Sequence, residues 1–381
     1  MKIGIDISQI VYSGTGVSSY TRNLVEHLLQ VDKKNSYLLF ASSLRRKPEF
    51  QNYFRQLSHS GYMYNYKVIS FPPTLLDILW NKIHSVPVET FTKDLDIFHC
   101  SDWTEPPTKA KKVTTLHDFV TYKYPEASHP SIVATQKRKL DWARKECSGF
   151  IAVSEATKKD AREILNLPEE KITVIYEAAG KEYEKFKKEN EEFRLKEIAR
   201  VREKYQLAKD YILAVGTREP RKNLERLISA YQKINREQVD LVIAGKYGWG
   251  DESKAVTNTE GVKIVGYVPT SDLPALYAGA EVFAYPSLYE GFGQPVLEAM
   301  SVGCPVISSN TSSLPEVGGE AAIYIDPLDV SDLKDKLRWI IDLPSTRRKQ
   351  LINKGFEQAK KFSWRKTAEE TLRTYEGLAT L

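Results

Sequence analysis

The stretch VFAYPSLYEGFGQPVLEAMSVGCPVISS, residues 282–309, decides the fold of this protein. It begins with a short apolar run, passes through a loop with two glycines, continues with helical spacing and ends in a second apolar run. Continuous apolar runs of this kind are typical of strands that are buried on both faces of a parallel sheet. The stretch therefore predicts a strand–helix–strand unit of an α/β fold.

The same alternation of apolar runs and helical segments extends over the chain of 381 residues. The first half contains seven candidate strands, at residues 2–8, 37–41, 66–71, 97–100, 112–117, 150–154 and 172–176. The second half contains six, at residues 211–215, 241–244, 262–265, 282–285, 305–308 and 322–325. Because helices alternate with these strands, we predict two doubly wound, Rossmann-like domains with parallel sheets.

A charged segment separates the two predicted domains. Residues 181–204, KEYEKFKKENEEFRLKEIARVREK, are so rich in Lys and Glu that we interpret them as a linker or a solvated helix. We therefore predict an N-terminal domain at residues 1–180 and a C-terminal domain at residues 205–363. The final segment, residues 364–381, has the spacing of a helix, and Ser363 could cap it.

Composition and charge exclude several classes of protein. A hydrophobic fraction of 41% with 28% charged residues is that of an ordinary folded chain. Three scattered cysteines favour a reducing compartment over a disulfide framework or a zinc site. No apolar window reaches the roughly 18 residues of a membrane span, and Asp6 interrupts the region where a signal peptide would be apolar, so we expect a cytoplasmic protein. The formal charge of +5 is too small to predict a nucleic-acid groove, but it can support contact with an anionic membrane.

The loop and helix in the opening stretch carry the first candidate ligand site. In a doubly wound sheet, ligands bind at the carboxyl ends of the strands. The segment Glu290–Glu298 places two glycines in the loop and a proline at a helix start, so the amides of Val296 and Leu297 can face a phosphate. Its two carboxylates, Glu290 and Glu298, can accept hydrogen bonds from the vicinal hydroxyls of a ribose or a hexose. The alternative is an ordinary helix start with two solvated glutamates.

The segment Gly216–Asn223, GTREPRKN, follows the first strand of the second half. Pro220 suits the first position of a helix, which places Arg218 in the loop and Lys222 in the first turn. Two cations then converge where the helix dipole favours an anion, and this arrangement suits a diphosphate. Charge on the protein surface is the alternative explanation.

Two segments of the N-terminal half are weaker candidates. The run Ser13-Gly14-Thr15-Gly16 precedes a helical segment, and its glycines would let a phosphate approach the backbone, although a plain tight turn fits equally. His117 ends a predicted strand and could bond a substrate hydroxyl or a phosphate, while the adjacent Asp118 could simply cap a turn. Together, the four segments describe a ligand with an anion and a polyol, which is a sugar nucleotide.

These motifs resemble those of the family 4 retaining glycosyltransferases. The resemblance rests on residues 285–327 with two glutamates separated by seven residues, on GTREPRKN, on the VSE of residues 153–155 and on the pair His117-Asp118. Within the family, the sequence is most similar to the mannosyltransferase branch that builds bacterial surface polysaccharides. The resemblance implies the GT-B fold, in which two Rossmann-like domains face each other across a cleft and the last helix crosses back to the N-terminal domain.

The resemblance also implies roles for individual residues. Arg218 and Lys222 would hold the donor diphosphate, and Glu298 would bind the ribose. Glu290 would hold the transferred sugar, which His117 would contact from the N-terminal domain. The candidate catalytic residues are therefore His117, Arg218, Lys222 and Glu290. The other candidate donor-binding residues are Gly14, Gly16, Asp118, Gly291, Phe292, Gly293, Val296, Leu297 and Glu298.

The predicted activity is the transfer of a hexose from a sugar nucleotide with retention of configuration. Fixed cations and helix amides can stabilise the departing diphosphate without a metal ion or another cofactor, and a phosphate oxygen can take the acceptor's proton on the same face of the sugar. The resemblance implies GDP-mannose as donor and a glycan or a lipid-linked glycan as acceptor. The alternatives are a transferase that uses UDP-glucose or UDP-N-acetylglucosamine with a soluble acceptor, and a protein that binds sugar nucleotides without turnover.

Most of the basic surplus lies in the half that is expected to meet the acceptor. Residues 1–177 carry 24 basic and 20 acidic residues. The basic segment 136–145, which contains Trp142, would suit a helix that rests on anionic lipid at the inner face of the cytoplasmic membrane. An ordinary solvated helix explains the same residues.

Overall fold

The computed structural model describes residues 1–12, 14–234, 237–248 and 259–380. The chain forms two compact units, each built around one parallel sheet. The first unit consists of Met1–Glu177 together with the last segment, from Trp364 onward, and the second consists of Ala178–Ser363. Ser13, which begins the predicted glycine-containing loop, lies outside the described residues.

The sheet of the first unit has seven strands. They are β1 (Lys2–Asp6), β2 (Ser36–Ser42), β3 (Asn65–Ile69), β4 (Ile97–His99), β5 (Lys111–Leu116), β6 (Gly149–Ala152) and β7 (Ile172–Val174). All pairs are parallel, in the order β3-β2-β1-β4-β5-β6-β7. The chain winds outward from β1 to β3 and then continues on the other side of β1, so a crevice opens at the carboxyl ends of β1 and β4.

Helices cover both faces of this first sheet, as a parallel sheet requires. They are α1 (Gly16–Val31), α2 (Lys47–His59), α3 (Pro73–Leu76), α4 (Glu89–Thr92), α5 (Val120–Lys123), α6 (Pro130–Glu146) and α7 (Glu155–Leu165). Thr15 caps α1, because its hydroxyl accepts a hydrogen bond from the Ser18 amide at 3.3 Å.

The second unit repeats the architecture with six strands. They are β8 (Asp210–Val215), β9 (Val239–Ala244), β10 (Val262–Gly266), β11 (Val282–Tyr285), β12 (Val306–Ser309) and β13 (Ala322–Ile325), in the order β10-β9-β8-β11-β12-β13. Its helices are α8 (Lys181–Lys188), α9 (Glu191–Lys204), α10 (Leu224–Gln232), α11 (Leu273–Ala278), α12 (Gln294–Ser301), α13 (Leu314–Gly318), α14 (Val330–Ile341) and α15 (Ser345–Ala359). The winding reverses between β8 and β11, so the loops that follow these two strands meet.

The sheet architecture confirms the predicted fold class. All thirteen predicted strands are present, and no bound differs from its prediction by more than two residues. The central strands are buried along their length, as in VFAY at residues 282–285, which explains why continuous apolar runs predicted them, whereas the edge strands β3 and β10 are partly exposed.

The last helix, α16 (Trp364–Ala379), packs on α1 within the first unit. Trp364, Ala368 and Tyr375 are buried, and the ring of Trp364 lies edge-on to that of Tyr20 with centroids 5.7 Å apart. The apolar spacing that predicted this helix therefore marks the face that it buries against the first unit.

Residues 181–204, which we expected to be a charged linker or helix, are the helices α8 and α9 of the second unit. Tyr183 and Phe186 of α8 and Val201 of α9 are buried. The charges lie on the outer faces of both helices, and the three apolar residues attach the helices to the unit.

In the described part of the chain, none of the helices is long and apolar enough to cross a membrane.

Candidate active site

An asparagine ties together the loops that follow β8 and β11. Asn223 is buried, has a left-handed φ of 59°, and donates through its side-chain amide to the carbonyls of Pro286 (3.0 Å) and Pro327 (2.7 Å). The Leu288 amide donates in turn to the carbonyl of Arg221 at 2.9 Å. These bonds hold the segment GTREPRKN against the loop that contains Glu290.

Lys222 lies at the centre of this junction. Its Nζ donates to Glu290 Oε1 and to the Tyr285 hydroxyl, each at 2.7 Å, and its side chain is only 12% exposed. Burial and the neighbouring Arg221 lower the pKa of Lys222, while Glu290 opposes this shift. Lys222 also lines a small pocket with Gly216 and Tyr285. The predicted cation is therefore at the switch point of the sheet, where a carboxylate of the protein matches its charge.

Glu290 is held between two cations. Its Oε1 bonds Lys222, and its Oε2 lies 2.6 Å from the Arg221 guanidinium. Burial alone would raise the pKa of Glu290, but the two cations lower it to about 2. Glu290 is therefore ionised at neutral pH, so it can accept hydrogen bonds and balance positive charge but cannot act as a general acid.

Arg221 is a site residue that the sequence analysis did not single out. Its NH1 donates to the Tyr289 carbonyl at 2.8 Å as well as contacting Glu290, and its NH2 pairs with Glu219. A short 3₁₀ turn, Pro220–Lys222, sends both cations toward the same carboxylate. Adjacent cations are visible in GTREPRKN, but their common direction depends on this turn.

Arg218 lies apart from this ion-pair cluster. Its guanidinium carbon is 5.6 Å from the centre of the Tyr247 ring, and its amide donates to the Lys246 carbonyl at 3.0 Å. Its Nε is buried and makes no hydrogen bond within the part of the chain that the structure describes. Arg218 therefore reaches the carboxyl end of β9, and its contact with a diphosphate stays a prediction.

The glycine-containing loop after β11 is fixed by Ser313. The Ser313 hydroxyl lies 3.0 Å from the Glu290 carbonyl and 2.6 Å from the Phe292 carbonyl. Gly293 has a φ of 109°, and a Cβ added there would lie 2.7 Å from Leu314 Cδ2. The positive φ therefore favours glycine at this position, and a Cβ there would also require the Leu314 side chain to shift.

The start of α12 differs from the prediction. The Val296 amide donates to the Gly293 carbonyl at 2.9 Å, so the first turn of the helix occupies it, contrary to the prediction that it faces a phosphate. Leu297 is buried, and the contact predicted for its amide stays a prediction.

The second glutamate, Glu298, is half-buried on α12 and accepts a hydrogen bond from the Tyr277 hydroxyl at 3.1 Å. Burial, followed by the charge of Glu298, raises the pKa of both Tyr277 and Tyr183. These tyrosines therefore remain neutral hydroxyls around Glu298, and its bond to a ribose stays a prediction.

In the first unit, His117 directly follows β5. Its Nδ1 lies 3.7 Å from Glu177 Oε1, and its ring is edge-on to Tyr20 with centroids 4.7 Å apart. Burial would lower the pKa of His117, but Glu177 and the charges of Asp102 and Asp118 raise it overall. The imidazole thus gains positive character near neutral pH, which suits an anionic ligand or a hydroxyl.

The other predicted residues of the first unit are exposed. Asp118 Oδ1 accepts a hydrogen bond from the Val120 amide at 2.9 Å, which is the turn-capping interaction considered above. Gly14 has a φ of 83°, and no atom lies within 4 Å of a Cβ built at Gly16. The backbone is therefore open to a ligand at Gly16.

A buried network that the sequence did not predict joins α16 to β5. His99 bonds the Tyr375 hydroxyl through Nδ1 (2.6 Å) and Thr115 Oγ1 through Nε2 (2.9 Å), and the Tyr20 hydroxyl lies 3.2 Å from the same Thr115 oxygen. Burial lowers the pKa of His99 to about 3, so this imidazole stays neutral. The network supports the strand that ends beside His117.

The described residues contain no group of three or more His, Cys, Asp or Glu side chains that could hold a metal ion.

Comparison with known proteins identifies the family. A model described as "Glycosyltransferase Family 4" matches residues 14–178, and one described as "Glycosyl transferases group 1" matches residues 196–358. The O-antigen chain mannosyltransferase B of Escherichia coli is 31% identical, over 99% of this chain and 100% of that protein. The serotype-specific mannosyltransferase WbdA of Escherichia coli is 30% identical over 58% of this chain and 27% of its own length.

Solved structures show the same fold. Sucrose-phosphate synthase from Thermosynechococcus elongatus has a TM-score of 0.73 at 19% identity over 99% of both chains. Anabaena HepE in complex with UDP-glucose has a TM-score of 0.71 at 18% identity over 100% of both chains. The two parallel-sheet units thus define a glycosyltransferase of the GT-B fold. The chain belongs to glycosyltransferase family 4 and carries the group 1 glycosyltransferase region in its second unit, which confirms the family and the enzyme class.

Proposed function

We propose that this protein transfers mannose from GDP-mannose to a growing surface glycan with retention of configuration. The main support is the likeness to mannosyltransferase B over the full length of both proteins. The O-antigen chain mannosyltransferase RfbU of Salmonella typhimurium is also similar, with 28% identity over 64% of this chain. Lys222 and Glu290, at the switch point of the second sheet, supply a cation for the donor diphosphate and a carboxylate for the sugar hydroxyls.

The proposed role of the cations is to stabilise the leaving group. When the bond between the anomeric carbon and the phosphate oxygen breaks, negative charge develops on the diphosphate. Lys222, with Arg218 at the neighbouring strand end, would already contact the diphosphate once the donor is bound, so these cations need no further reorganisation while the bond breaks. We propose that these cations take the place of a divalent metal ion.

The proposed chemistry takes place on one face of the sugar. The acceptor oxygen forms a bond to the anomeric carbon as the phosphate oxygen leaves, and the proton of the acceptor hydroxyl moves to that phosphate oxygen. Glu290 is ionised, and its oxygens already contact Lys222 and Arg221. We therefore assign it to the sugar hydroxyls and to charge balance, not to a covalent intermediate. His117 would contact a hydroxyl of the same sugar.

A second candidate function is transfer of glucose from UDP-glucose. The solved complex of Anabaena HepE with UDP-glucose favours this alternative, because that chain matches the present one in fold over its whole length. The two candidates differ in the nucleobase and in the sugar, so one binding experiment separates them.

The decisive experiment is a binding screen followed by a transfer assay. Thermal shifts with GDP, UDP, GDP-mannose, UDP-glucose and UDP-N-acetylglucosamine should be largest for the guanine nucleotides. Transfer from the preferred donor to mannose-terminated glycans should then give products whose anomeric configuration, read by NMR, equals that of the donor. A preference for UDP would refute the GDP-mannose proposal, and an inverted product would refute the proposed stereochemistry.

Two variants test the site itself. We expect Lys222→Ala and Glu290→Ala each to remove most of the transfer activity while far-UV circular dichroism remains that of the parent. Lys233→Ala is a matched control, because Lys233 is exposed at the end of α10. Transfer at the parent rate by both site variants would show that the site is elsewhere.

We further propose that the acceptor is lipid-linked and that α6 meets anionic lipid through charge. Arg144 and Lys145 of α6 are exposed. Trp142 stacks on His84 with ring centroids 3.6 Å apart, and its indole N–H donates to the Asn81 carbonyl at 2.9 Å, so this ring is engaged within the unit. Co-sedimentation with phosphatidylglycerol vesicles should therefore occur at low salt and disappear at high salt. Equal sedimentation with neutral phosphatidylcholine vesicles would contradict this proposal.

A further inference from the structure

Arg221 and Lys222 contact the same carboxylate in different ways. The Arg221 guanidinium, only 13% exposed, contacts Glu290, the Tyr289 carbonyl and Glu219, all within the loops after β8 and β11. Lys222 contacts one oxygen of Glu290 and a neutral hydroxyl, that of Tyr285. Among the described residues, Arg221 thus pairs with two carboxylates and a carbonyl, whereas Lys222 pairs with the carboxylate of Glu290.

A guanidinium and an ammonium also differ in how easily they exchange partners. The planar fork of Arg221 fits its acceptors in a fixed geometry. The ammonium of Lys222 is a compact charge on a flexible stem, so it can turn from one anion to another. In addition, Lys222 lines a small pocket next to Gly216, at the carboxyl end of β8.

From this asymmetry we infer that Arg221 is a positioning residue, which holds Glu290 by Oε2 throughout the reaction, while Lys222 releases Oε1 to take the donor diphosphate. The inference rests on the proposed function and adds a division of labour to it. Glu290 then serves as an internal anion for Lys222 before the donor binds and as a fixed acceptor for the sugar afterwards.

Electrostatics support this division. The charge of Arg221 is the largest single influence that keeps the pKa of Glu290 low against the effect of burial, and Lys222 adds both its charge and its hydrogen bond. Tyr285 also faces Glu290, and Glu219 shares the guanidinium. Removing Arg221 should therefore raise the pKa of Glu290, and the acid limb of the pH–rate profile should move to higher pH.

The first test compares binding with turnover. Arg221→Met should lower kcat by about 10- to 100-fold and leave the Kd for GDP, measured by calorimetry, within about threefold of the parent, because Arg221 does not touch the diphosphate. Lys222→Met should instead weaken GDP binding by about tenfold or more. Arg347→Met is the matched control, since Arg347 is exposed on α15 and should behave as the parent.

The second test is a double-mutant cycle. If Arg221 acts through Glu290, Arg221→Met combined with Glu290→Gln should have the kcat of Glu290→Gln alone, within about threefold. Arg221→Lys keeps the positive charge but lacks the planar guanidinium. It should return the acid limb of the pH–rate profile to its position in the parent and recover only part of kcat. This variant also serves if Arg221→Met does not fold.

Three results would overturn the inference. In the first, Arg221→Met loses as much GDP affinity as Lys222→Met. In the second, the effects of the Arg221 and Glu290 variants on kcat multiply in the double variant. In the third, Arg221→Met leaves the acid limb of the pH–rate profile where it is in the parent. A parent protein that neither binds a nucleoside diphosphate nor transfers sugar would instead refute the proposed function. The two failures are therefore distinguishable.

Discussion

Replacement of Asp272 by Asn tests how the charged helix α9 is attached to the second unit. The Asp272 carboxylate accepts hydrogen bonds from Arg200 (2.8 Å), Lys204 (2.6 Å) and the Tyr205 hydroxyl (3.0 Å), which lie in or directly after α9. Burial alone would raise the pKa of Asp272, but these three donors lower it to about 2. The ionised carboxylate is therefore stabilised specifically in the folded state.

The magnitude follows from the pKa shift. Relative to the ordinary value of 3.8, a pKa of about 2 corresponds to roughly 2 kcal/mol of stability at neutral pH. Arg200 and Lys204 are 42% and 47% exposed, so solvent screening reduces this contribution to about 1 kcal/mol. Because the folded-state pKa is depressed, the contribution is present above pH 4, roughly, and is lost as the pH falls toward about 2.

We expect Asp272→Asn to lower the melting temperature by roughly 2–4 °C at pH 7 in low salt. Calorimetric melting at neutral and acid pH measures this difference, which should shrink as the pH falls to about 3 and in high salt. Asp335→Asn is the matched control, because the Asp335 carboxylate is 63% exposed and should change little. Equal melting of Asp272→Asn and the parent at neutral pH, or a deficit unchanged by acid, would refute the reasoning.

Three further predictions concern the site. Gly293→Ala should destabilise the second unit by about 1–3 kcal/mol and reduce transfer, because φ is 109° and the new Cβ would meet Leu314; unchanged melting and turnover would contradict this. Glu177→Gln should lower the pKa of His117, measured by NMR titration of the imidazole. The raised pKa of His117 stabilises the fold only at pH values below it, so Glu177→Gln should be less stable than the parent in mild acid and equally stable at alkaline pH. An unchanged titration of His117 in this variant would show that Glu177 does not raise its pKa. Finally, transfer should persist in excess EDTA, and strict dependence on an added divalent ion would exclude the metal-free mechanism.

The strands and the meeting of the two site loops could be predicted from the sequence because they depend on local patterns. A run such as VFAY at residues 282–285 has few stable places other than the centre of a parallel sheet. Once both sheets wind outward from a central strand, the topology brings the loops after β8 and β11 together. The prediction that Lys222 and Glu290 belong to one site required only these rules and the family motif.

Other features depend on tertiary contacts. Nothing local in the sequence indicates that Arg221 would share Glu290 with Lys222, because a single 3₁₀ turn determines where both side chains point. The Val296 amide was predicted to be open to a phosphate, but the first turn of α12 uses it. Similarly, the Lys and Glu content of residues 181–204 predicted a solvated segment and did not indicate that Tyr183 is buried and attaches α8 to the second unit.

The sequence by itself determined the alternation of strands and helices, the family and the two motifs of the second unit, since hydrophobic periodicity and short motifs are properties of neighbouring residues. Only the tertiary structure decided which charges pair. His99 meets Tyr375 of the last helix, and Glu290 meets Arg221 and Lys222, because packing brings distant side chains within hydrogen-bond distance in a buried setting. Burial strengthens these pairings and shifts their pKa values, and burial is a property of the folded chain.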